Sequence, residues 1–372
     1  VKIAFFADSY KPYLSGVTNS IENLALELRK LGHRVYIFAP HYPNHLDTDP
    51  DIIRFPSVAT TYPKFRLAIP YIGRIPEVDI VHSHTPFQVG QLARYLARKK
   101  KIPLAYSFHT LFTKYVHYAR FIPEPLSKMG MVSYLRSFCE STGLIITPSE
   151  FSRRVLRSWK IKQPIEVVPS GVRMDLLAND RETRDKIRES YGIGSEEKVL
   201  LYVGRISEEK NLDFLIKAFK KIKQNGKEAR LVLVGGGPLV KKFSEEGAIL
   251  TGEVPYPEVL AHYSIGDIFV FSSLTETQGL VIAEAKAARL PVVALFSGAL
   301  VGTICSGYDG YLVNRDQKSF VEHVSRLLED EKLRKEVGAA AHEDAVDRFA
   351  SDKVAKKMEG VYNKLLTGRE QE

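Results

Sequence analysis

"DIFVFSSLTETQGLVIAEAKAAR", residues 267–289, sets a short apolar run, a polar loop and a second apolar run end to end. DIFVFSS (267–273) reads as a buried strand, Leu274–Gln278 as the loop at its carboxyl end, and the residues from Gly279 onward as a helix. A strand that is apolar on both faces and passes through a short loop into a helix is half of a βα unit. Such units build parallel sheets covered by helices. The loop and the helix each hold one carboxylate, Glu276 and Glu284, in otherwise small and apolar surroundings.

The same alternation extends both ways along the chain. KVLLYVGR (198–205), ARLVLVGGG (229–237), AILTG (248–252), PVVAL (291–295) and GYLV (310–313) read as further strands. Helices at about 211–224, 256–264, 279–289, 316–329 and 331–348 fill the gaps. Upstream, KIAFFA, RVYIFAP, DIVHSH (79–84), PLAYSFH (103–109), LIITPS (144–149) and IEVVPS (165–170) form an earlier series of the same kind. Val17, Ile21, Leu24, Leu28 and Leu31 recur at helical spacing, and Gly32 ends that helix. A chain of 372 residues exceeds one comfortable core. The expectation is an α/β protein with two Rossmann-like doubly wound domains, 1–172 and 173–350. The polar stretch 175–198 is expected to carry the boundary, and a last helix at 351–366 to return to the first domain. In doubly wound sheets ligands sit beyond the carboxyl ends of the strands, so the loops after strands are where chemistry is sought.

Composition narrows the class. Apolar content of 44% and charged content of 26% suit a globular protein. Cys139 and Cys305 are far apart and make no disulfide framework, which points to a reducing compartment. No long apolar run suits a membrane span, and VKIAFFA opens as a strand without a signal-peptide layout, so a cytoplasmic location is expected. The net charge of +9 is uneven: residues 1–170 hold 23 Lys and Arg against 12 Asp and Glu, and the remainder 30 against 32. Solubility accounts for such an excess; so does attraction to an anionic surface, nucleic acid or acidic lipid.

Several strand ends hold residues suited to an anionic sugar ligand. Gly16 opens the first helix, where amides favour an anion, although a plain turn glycine reads the same way. GRISEEKN (204–211) places Arg205 and Lys210 around a short loop, with Asn211 able to cap the next helix. Two cations without an evident acidic partner suit a diphosphate, and an exposed charged loop is the alternative. VGGGP (234–238) is not G-x-G-x-x-G and gives little support to a nicotinamide cofactor. The backbone amides of Gln278, Gly279 and Leu280 at a helix start can receive a phosphate. Carboxylates accept hydrogen bonds from sugar hydroxyls, so Glu276 suits a transferred sugar and Glu284 the ribose of a nucleotide. His109 ends PLAYSFH at the equivalent edge of the first domain. No His/Asp cluster has metal-ligand spacing.

Taken together, Glu276-x7-Glu284, GRISEEK and SGVTNS (15–20) resemble the retaining glycosyltransferases of family GT4, which have the two-domain GT-B fold with two Rossmann-like halves facing across a cleft. TPSEFSRR (147–154) and VVPSGV (167–172) also resemble that family, so the likeness spans nearly the whole chain. FFADSYKPYLSGVTNS (5–20), YSFHTLFTKY (106–115) and TETQGL (275–280) are most similar to the diacylglycerol glucosyltransferases. The resemblance implies a nucleotide-sugar donor, UDP-linked, as substrate, with no cofactor and no metal. Arg205 and Lys210 would neutralise the diphosphate, which Gly16 lets approach. Glu284 would bind the ribose, and Val254 in TGEVP would contact the base through its backbone. Glu276 would bind the sugar hydroxyls, with the amides of Gln278, Gly279 and Leu280 beside it, and His109 would meet the donor sugar near its reacting centre. Three departures stand out: Gln278-Gly279 where many members have Phe-Gly, Ser170 where Asn is commoner, and ALFSGALVGTICSG (294–307) without a Gly-x-Pro-Glu-type element.

The resemblance also implies a lipid acceptor such as diacylglycerol and a peripheral place on the inner face of the cell membrane. Arg98–Lys101 and Arg153, Arg154, Arg157, Lys160 and Lys162 form basic runs. Between them the apolar and aromatic stretch 111–140 carries Lys114, Arg120, Lys128 and Arg136, a mixture suited to anionic lipid; an apolar face buried in the protein is the other reading. Rival functions are a transferase for a soluble sugar or phosphosugar, a GT-B sugar-nucleotide epimerase, and a nucleic-acid-binding protein. The last lacks any helix-turn-helix, zinc finger or aromatic RNA platform, and no nucleic-acid partner is expected.

Overall fold

The computed structural model describes residues 1–60, 64–73, 75–114, 124–177 and 181–367. The chain divides into two compact units: Val1–Gly171 with Ser351–Glu372, and Val172–Ala350. The stretch 175–198 therefore lies in the second unit, and the division falls just before it.

In the first unit the order is β1 (Lys2–Phe6), α1 (Gly16–Lys30), β2 (Arg34–Pro40), β3 (Ile52–Phe55), β4 (Ser57–Ala59), β5 (Arg66–Ala68), β6 (Ile80–Ser83), α2 (Gln88–Lys100), β7 (Leu104–Ser107), α3 (Glu124–Cys139), β8 (Leu144–Thr147), α4 (Glu150–Ser158) and β9 (Ile165–Val167). Seven of these strands form a sheet in the order β3-β2-β1-β6-β7-β8-β9, with every pairing parallel. β4 and β5 make a separate antiparallel pair. Side chains two apart on a strand share a face, which sorts the helices. Leu104 packs with α2 and Tyr106 with α3 and α4, so these three helices cover one face of the sheet. Phe5, Ile80 and Ala105 turn to the other face, where α1 is joined by the last helix of the chain.

The second unit runs α5 (Arg181–Ser190), β10 (Val199–Val203), α6 (Leu212–Gln224), β11 (Arg230–Val234), α7 (Val240–Ser244), β12 (Ile249–Gly252), α8 (Tyr256–His262), β13 (Ile268–Phe271), α9 (Leu280–Ala287), β14 (Val292–Leu295), β15 (Gly310–Val313), α10 (Gln317–Glu329) and α11 (Glu331–Arg348). Its parallel sheet has the order β12-β11-β10-β13-β14-β15. Every residue of β10 and β13 is buried, as central strands between two helical layers require. Finally α12 (Ser351–Thr367) returns to the first unit and packs along α1 through Val354, Met358 and Tyr362. Among the described residues no helix is long and apolar enough to cross a membrane.

Both sheets reverse their strand order once, between β1 and β6 and between β10 and β13. At such a switch point the loops leaving adjacent strands diverge and open a crevice beyond the carboxyl ends.

Candidate functional site

The second unit builds the fuller arrangement, at the β10/β13 switch point. The loop after β10 carries Arg205 and Lys210; the loop after β13 carries Glu276. Because these strands are neighbours, the loops are laced together. Ser272 Oγ donates to the Lys210 carbonyl at 2.8 Å, and Asn211 Nδ2 donates to the Ser272 carbonyl at 3.3 Å. Asn211 does occupy the N-cap position of α6, with φ 55°, but its side chain makes no cap bond and serves this cross-loop contact instead.

Lys210 Nζ lies 2.7 Å from Glu276 Oε1. This corrects the sequence expectation of a cation without an acidic partner. The partner is sixty-six residues away along the chain and becomes a neighbour only through the strand order. Burial works against the charge of Glu276, but the Lys210 ammonium and hydrogen bonds from Lys210 and Ser273 hold its carboxyl below the usual range. The Glu276 carboxyl is therefore ionised at neutral pH. Arg205 sits half-buried in the same loop, its carbonyl accepting the Tyr202 hydroxyl at 3.1 Å.

The triple glycine after β11 props this loop. Gly204 N donates to Val234 O and Ile206 N to Gly236 O, both at 2.9 Å. A Cβ on Gly235 would stand 2.2 Å from the Gly204 carbonyl oxygen, so only glycine allows the two backbones to meet.

Gly279 starts α9 with φ 82°, in the left-handed region, and no side chain caps the helix. A Cβ there would lie 2.9 Å from Leu300 Cδ2. Gln278 is buried, its carbonyl accepting from Thr303 Oγ1 at 2.9 Å. Helix starts carry amides that no intrahelical carbonyl meets, together with the positive end of the dipole. Gln278, Gly279 and Leu280 stand at such a start, two to four residues after Glu276.

Glu284 lies in α9, buried. Its Oε1 accepts the Tyr256 hydroxyl at 2.8 Å and its Oε2 the Tyr263 hydroxyl at 2.7 Å. Burial raises its carboxyl to about 7, and the two hydroxyls restrain the rise. A buried carboxylate met by neutral hydroxyls is a costly way to hold a helix in place. Val254 follows β12, half-buried against the core, two residues before Tyr256. The loop with Val254 and the helix with Glu284 are thereby joined. Neither tyrosine stands out in the sequence, because their spacing is that of core residues on a helix.

The first unit holds the other two expected residues. Gly16 is exposed at the first position of α1; Ser15 caps the helix by accepting from Thr18 N at 3.1 Å. A Cβ on Gly16 would meet nothing within 4 Å, so the fold itself does not demand glycine there. His109 lies just past β7, and its Nε2 is 3.0 Å from His84 Nδ1. His84 in turn lies against His82, ring centres 4.1 Å apart and planes tilted by 31°. His82 is bonded to the Tyr362 hydroxyl of α12 at 2.7 Å and to Ser107 Oγ at 2.8 Å. Burial depresses all three imidazoles, His82 to about 3, His109 to about 4 and His84 well below its ordinary value, so the cluster is neutral. His84 escaped sequence reasoning because DIVHSH reads simply as a strand. A pocket beside His109 is lined by His84, Ser20, Ser107, Ser170, Ser351 and apolar neighbours including Met358.

The basic runs lie on the helices of one sheet face. Arg98–Lys101 end α2, while Arg153 and Arg154 are exposed on α4. Arg157 is partly engaged, donating to the carbonyls of Ile161 and Gln163. On α3 only Leu135, Phe138 and Cys139 are buried, and Leu126 and Met129 stand exposed beside Lys128. Arg120 lies outside the described residues. Among the described residues no group of three or more metal-ligating side chains comes together.

Comparison with known proteins agrees with this architecture. Residues 14–176 match the model of Glycosyltransferase Family 4, and residues 183–344 that of Glycosyl transferases group 1. The chain is 34% identical to alpha-monoglucosyldiacylglycerol synthase of Streptococcus pneumoniae (strain ATCC BAA-255 / R6) over 79% of its own length and 71% of the relative's. It is 27% identical to alpha-monoglucosyldiacylglycerol synthase of Acholeplasma laidlawii over 98% of both chains. Among solved structures, Anabaena Alr3699/HepE in complex with UDP and glucose superposes with a TM-score of 0.77 at 18% identity, over 98% of this chain and 99% of that one. The chain is a member of glycosyltransferase family 4, a hexosyltransferase with the GT-B fold.

Proposed function

We propose that this enzyme transfers glucose, with retention of configuration, from a UDP-linked donor to the hydroxyl of a neutral membrane lipid such as diacylglycerol. The diphosphate is held by Arg205, Lys210 and the amides of Gln278, Gly279 and Leu280, with Gly16 leaving room for it. Glu284 receives the ribose, the backbone at Val254 the base, and Glu276 the sugar hydroxyls. His109 meets the sugar near its reacting carbon. No cofactor and no metal is required; fixed positive charge stabilises the departing diphosphate.

Retention in glycosidases uses two carboxyl groups about 5–5.5 Å apart. Glu276 is paired with Lys210, and Glu284 is enclosed by two tyrosines. Neither is offered as a nucleophile. The reaction is a same-face substitution in which the leaving phosphate oxygen takes the acceptor's proton.

The observation that carries the acceptor class is the pocket beside His109: among the described residues that line it, none bears a charge. A phosphosugar would lose its hydration there without a compensating cation. A neutral glycerol hydroxyl finds serine and imidazole partners. The similarity to two alpha-monoglucosyldiacylglycerol synthases supports the same reading. The exposed Leu126 and Met129 beside Lys128, with the basic ends of α2 and α4 on the same sheet face, support a peripheral seat on anionic lipid at the inner face of the membrane. Each cation near such a surface contributes about 1 kcal/mol.

The test offers UDP-glucose, UDP-galactose and GDP-mannose with diacylglycerol in phosphatidylglycerol vesicles, followed by mass analysis. Glucosyldiacylglycerol from UDP-glucose is expected. Turnover onto a soluble phosphosugar with none onto lipid would overturn the acceptor, and a modified sugar nucleotide formed without acceptor would overturn the reaction class. Salt should release the protein from phosphatidylglycerol vesicles; equal binding to phosphatidylcholine would remove the electrostatic part.

A further inference from the structure

We propose that His84 is a positioning residue that fixes His109 as its Nδ1-protonated tautomer, by donating its own Nδ1–H to His109 Nε2. The role of that tautomer rests on the reading above, in which His109 meets the donor sugar.

The geometry leaves one proton for the pair. His84 Nδ1 and His109 Nε2 are 3.0 Å apart, and both rings are neutral in their buried setting, so one nitrogen donates and the other accepts. The far side of His84 decides which. Its Nε2 is fully enclosed and has no hydrogen-bond partner among the described residues. If His84 Nδ1 accepted, Nε2 would have to carry the proton and become a buried N–H with no acceptor. If Nδ1 donates, Nε2 keeps only an unmet lone pair. Orphaned buried N–H groups are rarer in native proteins than under-satisfied acceptors, so the proton belongs on Nδ1.

The ring cannot easily turn to escape this choice. His84 packs against His82, meets the edge of Phe5 with ring centres 4.6 Å apart, and lies nearly parallel to His109 at 5.3 Å. His82 is itself fixed at both nitrogens by Tyr362 and Ser107. The cluster sits at the carboxyl end of β6, at the β1/β6 switch point, and ties the C-terminal helix to the loop that bears His109.

The chemical consequence is directional. With Nε2 accepting from His84, His109 carries its proton on Nδ1 and acts there as a hydrogen-bond donor toward an oxygen. It is not poised to take a proton from the acceptor hydroxyl, which leaves that task to the departing phosphate.

Long-range proton–nitrogen NMR of the full chain labelled with 15N-histidine reads the tautomers directly. Nδ1-protonated patterns are expected for both His84 and His109; an Nε2-protonated His109 would overturn the proposal without any variant being made. His84→Phe keeps a ring but no donor. It should release His109 into mixed tautomers and lower kcat about a hundredfold, the scale of a misoriented group, with KM for UDP-glucose little changed. His84→Asn restores an N–H near the Nδ1 position and should recover most of the rate. An unchanged His109 tautomer in His84→Phe would also overturn the proposal. If the tautomers are as expected and His109→Ala turns over normally, the place of His109 in the reaction fails and the assignment of protons stands.

Discussion

Replacing Glu284 by Gln should make the second unit more stable at alkaline pH while weakening nucleotide binding. The carboxyl rises from its ordinary 4.5 to about 7 because it is buried, and two hydroxyls are what the fold sets against that burial. A group whose folded pKa exceeds its unfolded one binds more protons in the native state. Its stabilising share is full below about pH 4.5 and is lost as pH climbs through 7. At ~1.36 kcal/mol for each tenfold difference in proton affinity, the ionised carboxylate costs about 3 kcal/mol at pH 8. A glutamine has the same shape and no charge; one tyrosine hydroxyl need only turn to accept from its amide. In a unit of this size each kcal/mol moves Tm by roughly 2–4 °C, so a rise of up to roughly 10 °C is expected at pH 8, shrinking to roughly 2–3 °C at pH 5. Thermal unfolding of both proteins without nucleotide, from pH 5 to 8.5, measures the difference, and calorimetry with UDP measures the loss of affinity. A glutamine variant less stable than wild type at pH 8, or a Tm difference independent of pH, would show that the carboxylate is not strained and refute the reasoning.

Arg205→Ala and Lys210→Ala should each lower kcat/KM for UDP-glucose by at least a hundredfold and weaken UDP binding; normal turnover by both would count against the donor site. Lys210→Ala should also raise the Glu276 carboxyl, readable as an alkaline shift in the acid limb of the residual rate. Gly235→Ala should disturb the loop bearing Arg205 and reduce UDP affinity, because its Cβ would stand 2.2 Å from the Gly204 carbonyl oxygen; UDP affinity as in wild type would show that the loop does not depend on this contact. Lys286→Met should cost about 3–5 kcal/mol in denaturant unfolding, since the buried ammonium joins Asp309 at 2.8 Å and also reaches Asp344 and the Thr303 carbonyl.

Much of the fold was legible because its strands are short continuous apolar runs. VLLYV and IFVF are buried throughout and announce themselves without alternation. β3, β4 and β5 were missed for the converse reason: Ile52–Phe55 is an edge strand and mostly half-buried, and Ser57–Ala59 scarcely has an apolar face. Single site residues could be guessed from their places after strands, but their pairings could not. Lys210 meets Glu276 because β13 lies beside β10 while β11 and β12 lie on the other flank, and strand order is not written in periodicity. Tyr256 and Tyr263 looked like core residues, which they also are. Asn211 carried a capping residue's identity, yet its left-handed backbone turned the side chain toward Ser272.

The return of α12 to the first unit bears on how this chain is made. Val354, Ala355, Met358, Val361 and Tyr362 belong to the same apolar cluster as Phe5, Ile37 and Ile80. Those late residues are translated only after the whole of Val172–Ala350. Until they appear, α1 alone covers that side of the first sheet, while the second unit lacks none of its own residues. The usual order, in which amino-terminal domains finish first, is expected to invert here: a chain truncated before Ser351 should expose its first half to protease and shield its second.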